Sequence, residues 1–181
     1  LAHHGMSHDM AEAYAKLWRT HGITHALTIS PGVSASGFDA DALTETLKRL
    51  VRDATHQMRG LSRRRLRDID HRDPNLVFIA GFIEGETKTG STFMHMHGGV
   101  ALRPLEEIAF RNILWERIGE DRNKPLQPLE PTRTTNPLSP TRVPLTFDFQ
   151  RLKTAPLWQR YSTKHAVKSD FAFISTNHLL A

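Results

Sequence analysis

The stretch "NLVFIAGFIEGETKTGSTFMHMHGGVAL", residues 75–102, decides how the rest of the chain is read. Its first arm, Asn75 to Glu86, is a nearly continuous apolar run of strand length. "TKTGS" supplies a turn, and "TFMHMHGGVAL" has the length and composition of a second strand, so the two arms predict a β-hairpin. Side chains at i and i+2 of a strand share a face. His95 and His97 therefore point one way, and Met94 and Met96 the other. With the turn centred near Thr89–Gly90, Glu84 falls opposite His95 and Glu86 opposite Phe93. Both carboxylates then share the face that carries the two imidazoles.

Working outward, "SHDMAEAYAKLWRTHG" places Met10, Tyr14, Leu17 and Trp18 at helical spacing and stops at Gly22. "THALTIS" (residues 24–30) alternates as a strand does and ends at Pro31–Gly32. An amphipathic helix is predicted from Asp41 to Gly60, with Leu43, Leu47, Leu50, Val51 and Met58 as its buried stripe and Asp39 or Asp41 as cap. "LSRRRLRD" extends or follows it. "RPLEEIAFRNILWERIG" reads as a helix with Pro104 near N1, Glu106 and Glu107 in the first turn, and Gly119 at its end. Asp121 to Val143, rich in proline, reads as a long loop. "PLTFDFQ" is a half-buried strand, "APLWQRYSTKHAVKS" a short helix, and "DFAFIST" a last strand. No internal repeat is visible. The order predicts an α+β fold: a central five-stranded, mainly antiparallel sheet flanked by helices.

Composition bounds the function. The chain has 181 residues, a formal net charge of +5 and no cysteine. That length suits one domain with a core of its own. Disulfide frameworks and cysteine-ligated zinc are excluded. The lack of cysteine suits a reducing compartment, and a cytoplasmic protein is expected. No apolar run reaches membrane-span length and no secretory segment is seen, so no membrane partner is expected. Residues 1–5 read as vector sequence, and His3 and His4 carry no weight. The positive charge favours a polyanionic partner.

Two imidazoles and one carboxylate on adjacent strands make a three-ligand site with positions left open for water and a substrate oxygen. Such a mixed nitrogen and oxygen set accepts Mn²⁺ or Mg²⁺, and zinc fits the same ligands. His95 and His97 are the candidate ligands, with Glu84 as the third and Glu86 as the alternative. A second feature is "YSTK", Tyr161 to Lys164, whose ends share a helix face, with Lys168 further along the same stripe. A free phenol has a pKa of about 10. A neighbouring ammonium lowers the cost of ionising it, which is what a phenolate nucleophile needs. A Lewis-acid cation that polarises a phosphoryl oxygen and a nearby phenol that attacks the phosphorus together define a phosphotyrosine-forming reaction.

"FMHMHGGV" resembles the His-hydrophobic-His motif of the HUH endonucleases. "THALTISP" is similar to their first conserved strand, and "YSTK" resembles the Y-x-x-K helix of single-tyrosine rolling-circle replication initiators. The three stand in that family's order and span residues 24 to about 176. The resemblance implies one such domain over residues 6–181, a five-stranded sheet carrying the metal site, and the tyrosine helix packed nearby. It implies nicking and rejoining of single-stranded DNA through a 5′-phosphotyrosine link, with a free 3′-hydroxyl to prime replication of a plasmid or phage-like element. In that scheme His95 and His97 ligate the metal, Tyr161 is the nucleophile, and Lys164 stabilises charge or helps position the metal. Single-stranded or hairpin DNA is the expected partner, with a host helicase or polymerase as candidate protein partners. The relaxases and single-strand transposases of the same superfamily remain alternatives. Relaxases usually carry an upstream tyrosine, where Tyr14 stands, and a third histidine that is not beside this pair. The transposases expect Gln where His165 stands.

Other signals weigh less. "GETKTGST" imitates a phosphate-binding loop, but it lies between two strands and has Ser91 where the lysine belongs. "RGLSRRRLRD" gathers Arg59, Arg63, Arg64, Arg65 and Arg67. The last four, with Lys168, are candidate contacts to a DNA backbone; the other reading is a solvated helix end paired with Asp68 and Asp70. Trp115, Trp158 and Phe110 have the chemistry to stack on bases, or else belong to the core. Two rivals stand beside the nickase: a DNA-binding module on the same fold without catalysis, and a metal-binding jelly roll. The second expects a glutamate shortly after the histidines, and Glu106 is too distant.

Overall fold

The structure, a computed structural model, describes residues 8–31, 40–70, 72–88, 91–121, 145–154, 158 and 171–180. The elements follow in the order α1 (His8–His21), β1 (His25–Pro31), α2 (Ala40–Arg59), α3 (Arg63–Arg67), β2 (Phe78–Lys88), β3 (Ser91–Ala101), α4 (Glu106–Arg117), β4 (Gly119–Asp121), β5 (Leu145–Arg151), β6 (Phe171–Ser175) and α5 (Thr176–Leu179). They form one sheet of order β4-β5-β1-β3-β2-β6. Five strands pair antiparallel, as expected. The short edge strand β4, which runs parallel to β5, was not expected. Gly119 makes it possible: its φ of +141° lets the chain leave α4 directly into the sheet, and a Cβ there would strike the Leu145 carbonyl.

Hydrophobic periodicity accounts for most of this. Leu43, Leu47, Leu50 and Val51 of α2 are fully buried, and Met58 packs against them as the helical spacing predicts. They meet Leu27, Ile29, Val77, Ile79, Ile83, Met96, Phe147 and Phe149 from the sheet, together with Phe110, Ile113 and Leu114 of α4. Phe110 is thus a core residue. The opposite face of the sheet is covered by α1, whose Tyr14 and Trp18 pack on Phe78, Ala80 and Phe82, with Trp158 joining them. Gly22 and Gly60 end α1 and α2 at left-handed φ values of 60° and 69°, which glycine adopts without steric cost.

Three local expectations need correction. Pro104, expected near N1 of α4, is not helical itself but stands two residues before it; the helix begins at Glu106, with Leu105 as its N-cap at φ 74°. Glu106 closes the turn by accepting from the Arg103 amide at 2.8 Å. Thr176, read as the end of the last strand, instead opens α5, which follows β6 immediately. Arg59 does not belong to a surface patch. Its side chain is 5% exposed. It donates to both Glu106 oxygens at 3.0 Å and to the Asn75 and Leu76 carbonyls, tying α2 to α4 and to the approach to β2.

The predicted helix carrying Tyr161, Lys164 and Lys168, the bulk of the proline-rich loop, the Thr89–Gly90 turn and the Asp39 cap lie outside the described residues. Among the described residues no helix is long and apolar enough to cross a membrane.

Candidate metal centre

The hairpin has the register that its sequence predicts: Glu84 pairs with His95, Phe82 with His97 and Glu86 with Phe93. Directly opposite residues share a face, and diagonal neighbours remain within reach. Glu84 is therefore opposite one histidine and diagonal to the other. Glu86 lies one pleat further from His97, and its side chain lies outside the described residues.

Glu84 Oε1 lies 3.9 Å from His95 Nε2 and 4.0 Å from His97 Nε2. The two imidazole rings meet edge to face, their centroids 4.7 Å apart. The Glu84 side chain is 3% exposed, against 14% for His95 and 12% for His97. Among the described residues, these three form the one group of metal-ligating side chains whose donor atoms all lie within 4.8 Å of one another. Two donors bound to one ion at roughly 2.1 Å each can be no more than about 4.2 Å apart, so both measured separations fall within range. Tetrahedral or octahedral angles bring neighbouring donors to roughly 3–3.4 Å, so the two glutamate–histidine separations would close by roughly 0.5–1 Å. The three residues can hold a metal ion.

The site is held from three directions. From behind, Met96 is fully buried in the core. It lies across the facing glycines Gly81 and Gly98, where an added Cβ at Gly81 would sit 2.5 Å from the His97 carbonyl and 2.9 Å from Met96 Cε. Only glycine lets β2 and β3 pack with Met96 folded over them. On one flank Phe82, opposite His97, is packed by Tyr14 at a centroid distance of 4.6 Å and by Phe173 at 5.5 Å. On the other flank stands β1. Thr28 is directly opposite His97, and its Oγ1 lies 3.0 Å from His97 Nδ1.

Thr28 has a partner in β5 as well, Asp148, which pairs with it in register. Leu145, Phe147 and Phe149 take the core side of β5, so Asp148 and Gln150 share the face of the histidines. Gln150 donates to Asp148 at 2.9 Å. Trp158 packs with the aromatic cluster on that same face and donates from Nε1 to the Gly98 carbonyl at 2.7 Å. Asp148, Gln150 and Trp158, with Ala26 and Lys153, line a cavity of about 410 Å³.

The arginine patch is elsewhere. Leu66 of α3 packs with Leu61 and Leu76, ahead of the first residue of β2. Glu84 is six residues into that strand, roughly 20 Å further along. Arg63 points to Asp53 of α2 at 3.9 Å. The structure therefore does not bring Arg63, Arg64, Arg65 and Arg67 to the Glu84 cluster.

Two other histidines are structural. His25 stacks on Phe149, lies 2.8 Å from Thr24 Oγ1 through Nδ1, and approaches Glu107 to 3.1 Å through Nε2. The hydrogen bond to His25 holds the Glu107 carboxyl below the usual carboxylate range, against a smaller opposing effect of burial. His56 Nδ1 lies 2.7 Å from the Leu61 carbonyl.

No protein-family model, curated protein or solved structure matches this chain.

Proposed function

We propose that this protein is a metal-dependent endonuclease that nicks and rejoins single-stranded or hairpin DNA through a covalent phosphotyrosine link. The observation that carries this reading is the convergence of Glu84, His95 and His97 on one face of the hairpin. The order of sequence motifs, which resembles that of the single-tyrosine HUH replication initiators, supports it. So does the placement of Trp158 on the face of the histidines. Tyr161 follows three residues later, a stretch of chain no longer than about 11 Å. The chain has two tyrosines. Tyr14 is 2% exposed and packed by Trp18, Phe82 and Phe173, which makes it a poor nucleophile for a macromolecular substrate.

In this reading Glu84, His95 and His97 hold Mn²⁺ or Mg²⁺, and a bound cation supplies Lewis-acid polarisation of a non-bridging phosphoryl oxygen. The Tyr161 oxygen attacks the phosphorus and forms the new O–P bond. The P–O3′ bond breaks, its electron pair leaves with the 3′-oxygen, and that oxygen takes up the proton lost by the phenol. The phosphodiester becomes a 5′-phosphotyrosine ester, so the reverse step restores the strand without another energy source. Lys164 stabilises the phenolate.

The test is incubation of the full chain with labelled single-stranded and hairpin oligonucleotides and Mn²⁺. A denaturation-resistant protein–DNA adduct, absent with EDTA and in Tyr161→Phe, is expected. Intact oligonucleotides across a broad library would refute the reading. DNA bound without cleavage, and equally well by Tyr161→Phe, would establish a non-catalytic binding module instead.

A further inference from the structure

We propose that Thr28 is a positioning residue that holds His97 in the tautomer able to bind a cation through Nε2. The inference rests on the metal reading of the cluster. A neutral imidazole carries one N–H and one lone pair, and the partner of one nitrogen sets what the other can do. His97 Nε2 faces Glu84 Oε1 at 4.0 Å, on the cation side. Nδ1 faces Thr28 Oγ1 at 3.0 Å. To ligate through Nε2 the ring must carry its proton on Nδ1, and the Thr28 hydroxyl, which can accept as well as donate, is the group placed to take that proton.

The contact is built into the backbone. Thr28 stands directly opposite His97 across the β1–β3 ladder, and β1 is itself held between β3 and β5. Thr28 is also 8% exposed, so bulk water is a poor substitute for its hydroxyl. Without it, an Nδ1 proton would lose this acceptor in a largely buried site, and the balance would move toward the tautomer with its proton on Nε2, facing the Glu84 carboxylate. Partners of this kind typically contribute 10–100-fold to metal affinity.

The experiment compares the full chain with Thr28→Val and Thr28→Ser. Valine keeps the branched shape suited to a strand and removes the hydroxyl; serine keeps the hydroxyl. The first readout is the imidazole nitrogen spectrum of metal-free protein at a pH where the rings are neutral. The second is the dissociation constant for Mn²⁺ alone. The expected results are an Nδ1–H tautomer for His97 in the original and Ser proteins, its loss in Thr28→Val, and Mn²⁺ binding weakened roughly 10–100-fold in Thr28→Val with near-full recovery in Thr28→Ser. An Nε2–H tautomer in the unsubstituted protein would overturn the inference even if the valine variant failed to fold. Equal Mn²⁺ affinity and an unchanged tautomer in Thr28→Val would overturn it too. If the unsubstituted protein bound no Mn²⁺ while showing the Nδ1–H tautomer, the metal reading would fall and the orienting role of Thr28 would stand.

Discussion

Glu84→Gln exchanges one carboxylate oxygen for an amide nitrogen at a side chain that is 3% exposed and about 4 Å from two imidazole nitrogens. In metal-free protein the burial of a charge there is costly, with an effective penalty of several kcal/mol. The amide carries no such charge and fills the same space, so the metal-free variant is expected to melt at or above the original temperature. With metal the order reverses. A cation that binds only the folded state stabilises it by about 2.7 kcal/mol at one hundred times its dissociation constant. At roughly 2–4 °C per kcal/mol for a chain of this size, Mn²⁺ should raise the melting temperature of the unsubstituted protein by roughly 5–10 °C. Glu84 is the one carboxylate in the cluster, and its loss should reduce that shift to below about 1 °C at the same Mn²⁺ concentration. Thermal melts of both proteins, stripped with EDTA and then titrated with Mn²⁺, measure all four states. An undiminished Mn²⁺ shift in Glu84→Gln would refute the assignment of this carboxylate. A metal-free variant melting far below the original would refute the claim that its charge strains the fold.

Other consequences follow from the surroundings of the site. Gly81→Ala should destabilise the fold by roughly 1–3 kcal/mol or more, because the new Cβ meets the His97 carbonyl and Gly98 Cα at 2.5 and 2.8 Å; urea unfolding would measure it, and a neutral result would contradict the close approach of the strands. Arg59→Met should cost roughly 1–3 kcal/mol, since it leaves the half-buried Glu106 carboxylate without its bidentate partner. The double replacement Arg59→Met with Glu106→Leu should recover much of that loss in the same assay. Burial pushes the Glu106 carboxyl up, but hydrogen bonds from Arg59 and the Arg103 amide and the charges of both arginines outweigh it, and its pKa is lowered. A lowered folded-state pKa contributes stability that is present above the unfolded carboxylate pKa and is lost as pH falls through the folded value. Glu106→Gln should accordingly flatten the acid limb of the stability–pH curve while lowering stability at neutral pH.

Local periodicity made much of this protein legible in its sequence. The hairpin register follows from a single turn and the two-residue repeat of a strand, so the pairing of Glu84 with His95 and the placing of Met96 on the core side needed no tertiary information. The same holds for the stripe of α2 and for the helix stops at Gly22 and Gly60, where spacing and φ preference act over a few residues. Strand order was not legible, because it depends on contacts between segments far apart in the chain. Only the folded sheet sets Thr28 beside His97 and Asp148 beside Thr28. Only folding turns Arg59, one of five arginines in a short run, into a buried clamp on Glu106 while its neighbours stay on the surface near α3. It also carries that run away from the cluster, to the far end of β2. The sequence by itself determined which side chains share a strand face; the tertiary structure decided which strands became neighbours, because side-chain alternation is a property of one strand's backbone, whereas adjacency is settled by how all the strands and helices bury their apolar faces together.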